Sequence, residues 1–361
     1  MMASSTKPNI DLLQIAGLED LQSLAIIGLS KNAGKTTCLN HIIAAWQESE
    51  QKRPLALTSI GRDGESEDIL SGYEKPRIYV SAGTLIASAE SALQRSDTLL
   101  EILDLSGIRT AFGEVVLCRA LSDGYVELAG PSVAEEISVI ENLIRLHEPE
   151  CLFIIDGALS RKSQAGSGMS EAVILCVSAE SSTDPATLAE LTDFALTLLQ
   201  TKTLQPEQPA NSFMDLISEH PEHRVFMLHG NDNSWRSSSL QTPSLVGHGK
   251  EIAELLKPDT YFLFLKGAVT DQIVRELLAE PMFTELTLVV EDGTRFFLSP
   301  DCLFKLHDRK VDLAVLNPLD VRLVCLNPTC SNGICLEPDE ALDQLRDRLT
   351  IPVVDLGPRN M

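Results

Sequence analysis

Residues 24–37 read Leu24-Ala25-Ile26-Ile27-Gly28-Leu29-Ser30-Lys31-Asn32-Ala33-Gly34-Lys35-Thr36-Thr37. No polar residue interrupts the run before Gly28, which predicts a buried strand. Residues 38–46 carry apolar side chains at the spacing of a helix that packs on one face. A strand, a loop ending in Gly-Lys-Thr and a helix form the context of a phosphate-binding loop. We call residues 28–37 the candidate phosphate loop.

The residue types in this loop suit a nucleotide. Gly34 lets the backbone approach a phosphate, and the first amide groups of the helix point at the anion. Lys35 can reach the terminal phosphates, and the Thr36 hydroxyl can coordinate the accompanying Mg²⁺. We therefore expect ATP and Mg²⁺ as ligands, with Lys35 also catalytic. The expected nucleotide-binding residues are Gly28, Ser30, Lys31, Asn32, Ala33, Gly34, Lys35, Thr36 and Thr37.

The glycine spacing of this loop is irregular. The common pattern places its first glycine at the position that Leu29 holds here, and Gly28 lies one residue earlier. The loop is therefore either one residue longer than usual or begins without a glycine. Lys31 adds a second lysine four residues before Lys35. The alternative interpretation is a chance Gly-Lys-Thr turn that caps an ordinary helix.

Two aspartates follow predicted strands. Asp63 lies in a polar turn after the strand predicted over residues 54–60, and Asp156 closes the apolar run 151–155. Ligands of parallel sheets bind at the carboxyl ends of strands. Asp63 is therefore a candidate Mg²⁺ ligand, and Asp156 has the form of a Walker B aspartate with a catalytic role. Each is also compatible with a plain turn.

Composition restricts the partners. The 361 residues include 29 Lys and Arg against 52 Asp and Glu, a formal net charge of −23. Such a surface repels polyanions, which argues against nucleic-acid and anionic-membrane binding. The first residues lack the apolar core of a signal peptide. The eight scattered cysteines favour reduced thiols in a cytoplasm over a disulfide framework. We expect a cytoplasmic protein.

The alternation of predicted strands and helices indicates an α/β fold. We expect a P-loop NTPase domain with a mostly parallel sheet over residues 1–200 and a smaller α/β domain over residues 251–361. Residues 201–250, rich in Thr, Gln, Pro and Ser, are expected to form a linker or excursion. Within the first domain, residues 83–93 and 97–104 are predicted to be helical, and Ser122-Asp123-Gly124 signals a hairpin.

Histidines and cysteines elsewhere give no strong metal signal. Zinc-finger spacing is absent, so we predict surface histidines at His220, His223, His229 and His248. Cys325, Cys330 and Cys335 are evenly spaced but lack a fourth ligand. Cys325 also lies in a predicted strand, where a small buried residue is expected.

Four stretches of the chain together resemble a known family. They are residues 28–36, 57–65 and 156–163, together with Ser122-Asp123-Gly124-Tyr125-Val126-Glu127-Leu128-Ala129-Gly130-Pro131-Ser132. They look like the nucleotide-binding (KamB-like) subunit of the reactivase for lysine 5,6-aminomutase, an enzyme that uses adenosylcobalamin. The resemblance covers residues 24–170. It implies an ATPase that releases damaged cobalamin, with the aminomutase and a second reactivase subunit as partners.

A more distant resemblance is to dethiobiotin synthetase and related P-loop ATPases. There a Glu-x-Ala-Gly element similar to residues 127–130 supplies a Mg²⁺ ligand, and an aspartate comparable to Asp63 supplies another. This resemblance implies one Mg²⁺ surrounded by Lys35, Thr36, Asp63 and Glu127, with Glu127 also catalytic.

Three functions therefore stay open. The first is an ATPase that acts on a protein partner, and the second is an ATP-dependent small-molecule ligase of the dethiobiotin-synthetase type. The third is a nucleotide-binding module without catalysis. The choice between adenine and guanine cannot be made, because the Asn-Lys-x-Asp element of guanine-binding proteins is absent from the strand ends.

Overall fold

The computed structural model describes residues 12–50, 53–60, 77–131, 133–157, 170–231, 234–330 and 336–357. These residues form two compact units. The first unit contains the described residues up to 157, residues 170–193 and the chain from 321 onward. The second contains residues 194–320.

The described strands are β1 Ser23–Gly28, β2 Leu55–Ser59, β3 Ile78–Val80, β4 Leu85–Ala89, β5 Leu100–Thr110, β6 Gly113–Ala120, β7 Gly124–Val126, β8 Leu152–Asp156, β9 Ala172–Ser178, β10 Val225–Asn231, β11 Ser234–Leu240, β12 Thr260–Leu265, β13 Val269–Thr270, β14 Thr287–Val290, β15 Phe296–Phe297, β16 Asp312–Val315, β17 Val321–Asn327 and β18 Val353–Asp355. The described α-helices are α1 Leu12–Ala16, α2 Lys35–Glu48, α3 Glu90–Leu93, α4 Ala134–His147, α5 Pro185–Leu199, α6 Glu207–Glu219, α7 Gly249–Glu254, α8 Asp271–Leu278, α9 Pro300–Asp308 and α10 Pro338–Arg348.

The first unit is built on a nine-stranded, mostly parallel sheet. Its order among the described strands is β18-β17-β9-β1-β8-β2-β4-β6-β5; β6 pairs antiparallel with β4 and with the edge strand β5, and the other pairs are parallel. Strands β1, β2, β4 and β9 are buried along their whole length. Strands covered on both faces have continuous apolar sequences rather than alternating ones. The expected α/β class with a mostly parallel sheet is confirmed.

Strand order identifies the position beside β1 where a sheet of this type is expected to bind a ligand. The next strand of this sheet after β1 in the chain is β2, which lies on the β8 side of β1. The next strand of this sheet after β9 is β17, which lies on the opposite side of the β1–β9 pair. Strands β1 and β9 are direct neighbours, with Gly28 paired to Cys176. Because the connections diverge between them, their carboxyl ends are where an open α/β sheet is expected to bind a ligand.

Three local predictions in this unit are wrong. Residues 83–93 contain β4 before the one-turn helix α3, and residues 97–104 contribute to the edge strand β5. The small apolar residues of β4 fit a helix and a buried strand equally well, so pairing with β2 and β6 decides its structure. The Ser122-Asp123-Gly124 turn does not form the expected hairpin, because β7 pairs with β3 while β6 pairs with β4 and β5.

The second unit has a five-stranded sheet in the order β11-β10-β12-β14-β16. The strands β11, β10 and β12 are antiparallel, and β12, β14 and β16 are parallel. Neighbouring residues of β10 point to opposite faces. Val225 and Met227 join a core with α7, α8 and α9, whereas Phe226 and Leu228 pack with Phe213 of α6. The sheet is therefore covered on both faces.

The two units do not follow the predicted ranges. Residues 201–250 form α6, β10, β11 and α7 of the second unit rather than a linker, although their composition is polar. Much of that polarity belongs to β11, an edge strand with the sequence Ser-Trp-Arg-Ser-Ser-Ser-Leu. The chain from residue 321 returns to the first sheet as β17 and β18 instead of completing a C-terminal domain. No described helix has both the length and the apolar character needed to cross a bilayer.

Candidate functional site

The candidate phosphate loop connects a central strand to a long helix. Strand β1 ends at Gly28, and the 14-residue helix α2 begins at Lys35. Gly34 precedes the helix with φ +93°, a left-handed conformation that glycine adopts without steric cost. As a glycine, Gly34 offers no side chain to cap the helix. The amide groups of its first turn, at the positive end of the helix dipole, suit an anion.

Gly28 explains the irregular spacing of the loop. A Cβ atom at this position would lie 2.9 Å from the Ala33 Cβ atom and 3.1 Å from the Ser30 carbonyl oxygen. It would also lie 3.4 Å from Cδ of Lys35. The next residue, Leu29, continues the sheet by donating its amide to the Cys176 carbonyl at 2.8 Å. The loop therefore curls back over Gly28, so it begins there and is one residue longer than the common pattern.

Two residues from distant parts of the sequence border this loop. The hydroxyl of Ser181, just after β9, donates to the Ser30 hydroxyl at 3.0 Å. Asn327, the last residue of β17, approaches Gly34 so closely that a Cβ there would lie 2.8 Å from the Asn327 Cβ. Both were missed from sequence. The available signal was weak, namely a polar residue at the end of an apolar strand or shortly after it.

Asp156 lies on the strand next to β1. It is paired in register with Ile26 of β1 and Ser59 of β2, and its side chain is half-buried. The backbone continues the ladder beyond it, because Gly157 donates its amide to Ile26 at 2.9 Å and Ile60 donates to Asp156 at 2.8 Å. The structure therefore places this carboxylate at the carboxyl edge of the sheet, one strand away from the candidate phosphate loop.

Residues 127–130, which we call the Glu127 segment, are held at the same edge. The Ser88 hydroxyl of β4 donates to the Glu127 carbonyl at 3.1 Å and accepts the Ala129 amide at 2.8 Å. The Gly130 amide donates to the hydroxyl of Ser59, the last residue of β2, at 3.0 Å. Two neighbouring strands thereby fix the segment, β4 through its second-last residue and β2 through its last.

The Glu127 carboxylate has a cationic partner that sequence reasoning missed. Arg95 donates from Nε to Glu127 Oε2 at 2.5 Å. Hydrogen bonding to this carboxylate raises the pKa of Arg95. The two side chains are 46% and 37% exposed, so a Mg²⁺ ion or water could still reach the glutamate. Any such ligand competes with the guanidinium for its oxygen atoms.

The remaining predicted residues are placed as follows. Lys35, Thr36 and Thr37 form the first turn of α2 and are half-buried, whereas Lys31 and Asn32 are exposed at the outer part of the loop. Asp63 lies outside the described residues. Thr36, Asp156 and Glu127 carry oxygen donors only, the ligand type that Mg²⁺ prefers. The residue types at this edge therefore fit a magnesium nucleotide.

A group of three thiols lies beneath the loop. Cys38 of α2 approaches Cys325 of β17 with 3.6 Å between the Sγ atoms. Cys176 of β9 is paired in register with Cys325. All three are buried, and hydrogen bonds with Cys176 and Cys325 together with burial raise the pKa of Cys38. The prediction of Cys325 as a small buried strand residue is confirmed, Cys330 is half-buried, and Cys335 lies outside the described residues.

A scan against protein-family models and a search of curated proteins both find no match for this chain.

Proposed function

We propose that the protein is a Mg²⁺-dependent ATPase that binds the nucleotide at the candidate phosphate loop. One observation carries the proposal, namely the loop that curls over Gly28 and delivers Lys35 into the first turn of α2. It lies at the carboxyl end of a central strand, beside the point where the strand connections diverge.

Each candidate residue at the carboxyl edge of the sheet has a distinct role in this proposal. The amides of the first turn of α2 and the Lys35 ammonium hold the terminal phosphates, and Thr36 contributes a hydroxyl to the metal. Asp156 would hold the metal in the way that a Walker B aspartate does. Glu127 contributes a metal ligand or orients the attacking water. Mg²⁺, when bound, neutralises charge on the transferred phosphoryl group.

The process that ATP hydrolysis drives is proposed from the family resemblance of residues 24–170. By this resemblance, the protein is a reactivase subunit that uses ATP to restore an adenosylcobalamin-dependent aminomutase. Such an ATPase has slow basal turnover that its partner raises. Adding purified lysine 5,6-aminomutase carrying damaged cobalamin should therefore increase the ATPase rate, and an unchanged rate would contradict the partner assignment while leaving the nucleotide site intact.

The anchored Glu127 segment favours one alternative. Its attachment to β2 and β4 holds a carboxylate at the sheet edge, as the resemblance to dethiobiotin synthetase implies for a ligase. A ligase would release ADP only when a carboxylic-acid substrate is present. Stimulation of ADP release by a small acid and not by a protein would therefore favour the ligase over the reactivase subunit.

Calorimetry of Lys35→Ala and Thr36→Ala with Mg²⁺ and ATP tests the nucleotide site. We expect an affinity loss of about ten- to a hundredfold for Lys35→Ala, because a charge-assisted contact is removed. Lys305→Ala is the matched control, since Lys305 is an exposed lysine of α9. Unchanged affinity in Lys35→Ala would contradict the assignment of the loop. Repeating the titration with GTP identifies the base.

A further inference from the structure

A turn in the second unit brings two histidines and a glutamate together. Helix α6 ends at Glu219, and β10 begins at Val225. Between them the His223 amide donates to the His220 carbonyl at 3.0 Å, which closes a tight turn through Pro221 and Glu222. The turn returns both imidazoles to one side, where the rings stack with centroids 4.9 Å apart and an interplanar angle of 14°.

The donor atoms of these three side chains are spaced for a metal ion. One ligand atom each from His220, Glu222 and His223 lies within 4.8 Å of the other two. Nε2 of His223 is 3.3 Å from Oε1 of Glu222. With metal–ligand bonds of about 2.0 Å, two ligands of a tetrahedral zinc ion are roughly 3.3 Å apart. This pair therefore already has the separation that a shared ion requires.

Neighbouring residues fix the position of the turn. Nδ1 of His223 contacts the Ser239 hydroxyl of β11 at 2.7 Å, so Nε2 is the nitrogen directed to Glu222. Metal-binding histidines commonly use their second nitrogen in this way, which orients the ring. Lys266 donates from Nζ to the Pro221 carbonyl at 2.9 Å and ties the turn to the end of β12. His223 is 19% exposed, so its ring is held in place by packing.

We propose that His220, Glu222 and His223 form a binding site for a divalent transition-metal cation of the Zn²⁺ type. Two imidazoles and one carboxylate suit zinc, whereas magnesium takes oxygen ligands only. Glu222 is 49% exposed, so water or a partner group can occupy a fourth position. His220 and His223 thus acquire a role beyond that of surface histidines. The site belongs to the second unit and does not depend on the proposed ATPase.

Calorimetric titration of the EDTA-treated full chain with Zn²⁺ tests this site. We expect wild type to bind zinc and His220→Ala and His223→Ala each to lose at least about tenfold in affinity. His248→Ala is the matched control, because His248 is a half-exposed histidine of the same unit outside the cluster. Excess Mg²⁺ should not displace the zinc. No zinc binding by wild type, or wild-type affinity in both histidine variants, would overturn the proposal.

Two further measurements distinguish zinc held by the histidine cluster from zinc held by a thiol elsewhere in the chain. Ser239→Ala keeps all three ligands and should weaken binding by about tenfold through the orientation of His223. If the histidine variants do not fold, Ser239→Ala tests the proposal in their place. An unchanged zinc affinity in Ser239→Ala would refute the site. Co²⁺ bound at the cluster should give the weak visible bands of nitrogen and oxygen ligation. Strong sulfur-to-cobalt charge transfer would instead assign the metal to a cysteine and overturn the proposal.

Discussion

Gly130 lies directly against Ser59. A Cβ atom at Gly130 would fall well inside van der Waals contact of the Ser59 carbonyl oxygen, and it would lie 2.8 Å from the Thr58 hydroxyl. The Gly130 amide also donates to the Ser59 hydroxyl at 3.0 Å. Only glycine permits this approach, so the end of β2 fixes where the Glu127 segment passes.

Gly130→Ala should therefore destabilise the first unit by about 3 kcal/mol, because a buried backbone has to move to admit the methyl group. Thermal unfolding of the full chain followed by calorimetry measures the effect. Ser59→Ala is the control, since it keeps the space and loses one hydrogen bond, for about 1 kcal/mol. A Gly130→Ala variant as stable as Ser59→Ala would show that the segment does not depend on this contact.

The ion pair between Arg95 and Glu127 allows the role of the glutamate to be tested. If Glu127 acts in hydrolysis, Glu127→Gln should retain nucleotide and lose at least about a hundredfold in turnover. Arg95→Met should keep much of the turnover, because the carboxylate remains. Both variants lose the same ion pair, so equal effects would assign Glu127 a structural role only. Steady-state ATPase assays and calorimetry measure the two quantities.

The matched control for this pair is Glu148→Gln. Arg119 and Glu148 form an ion pair at 2.9 Å with similar exposure, after the end of α4. Its loss should leave turnover unchanged. Asp156→Asn provides the competing outcome. If it abolishes hydrolysis and Glu127→Gln does not, Asp156 is the essential carboxylate and the ligase-like role of Glu127 fails.

The parts of the fold that could be predicted are those with a strong local pattern. The apolar run before Gly28 and the run ending at Asp156 become β1 and β8, since each is buried on both faces. Residues 85–89 carry the same small apolar types as a helix would, and only pairing with β2 and β6 makes them β4. Local pattern does not contain that information.

The residues of the candidate site also fall into those that can be recognised from the sequence and those that cannot. Gly28 and Lys35 are recognisable because strand, loop and helix follow one another along the chain. Arg95, Ser181 and Asn327 are not recognisable, because strand pairing across the sheet brings them to this edge. Asn327 reaches Gly34 only after β17 has paired with β9.

Burial of the cysteines predicts their reactivity. Burial raises the pKa of Cys118 and of Cys151 to about 11, so little thiolate is present at neutral pH. Relative to a free cysteine, this is on the order of a hundredfold less thiolate. We expect iodoacetamide to label half-buried Cys330 in the native protein and to label Cys38, Cys118 and Cys151 only after unfolding in urea. Peptide mapping by mass spectrometry follows each site, and native labelling of Cys38 as fast as Cys330 would contradict the packing beneath the loop.

His229 should make the second unit less stable in mild acid. The residue is 1% exposed, so the surface position predicted from the sequence is wrong for this histidine. Its ring nitrogens contact the Thr260 hydroxyl at 2.8 Å and the Ser238 hydroxyl at 2.7 Å. Burial lowers the pKa of His229, with Lys257 and Arg236 acting in the same direction and Asp259 opposing them. The native state therefore keeps the imidazole neutral at a pH where the unfolded chain already binds a proton.

The sign of the effect follows from this difference in proton binding. As the pH falls below the ordinary histidine value of 6.5, the unfolded state gains a proton that the native state does not. The free energy of unfolding should therefore fall, by at most about 1.4 kcal/mol per pH unit. Urea unfolding at pH 7.5 and 5.5, followed by Trp235 fluorescence in a Trp46→Phe background, measures it. In His229→Gln the free energy of unfolding should depend less on pH than in wild type, and in His248→Gln it should depend on pH as in wild type. The same pH dependence in all three proteins would show that His229 protonates without opposing folding.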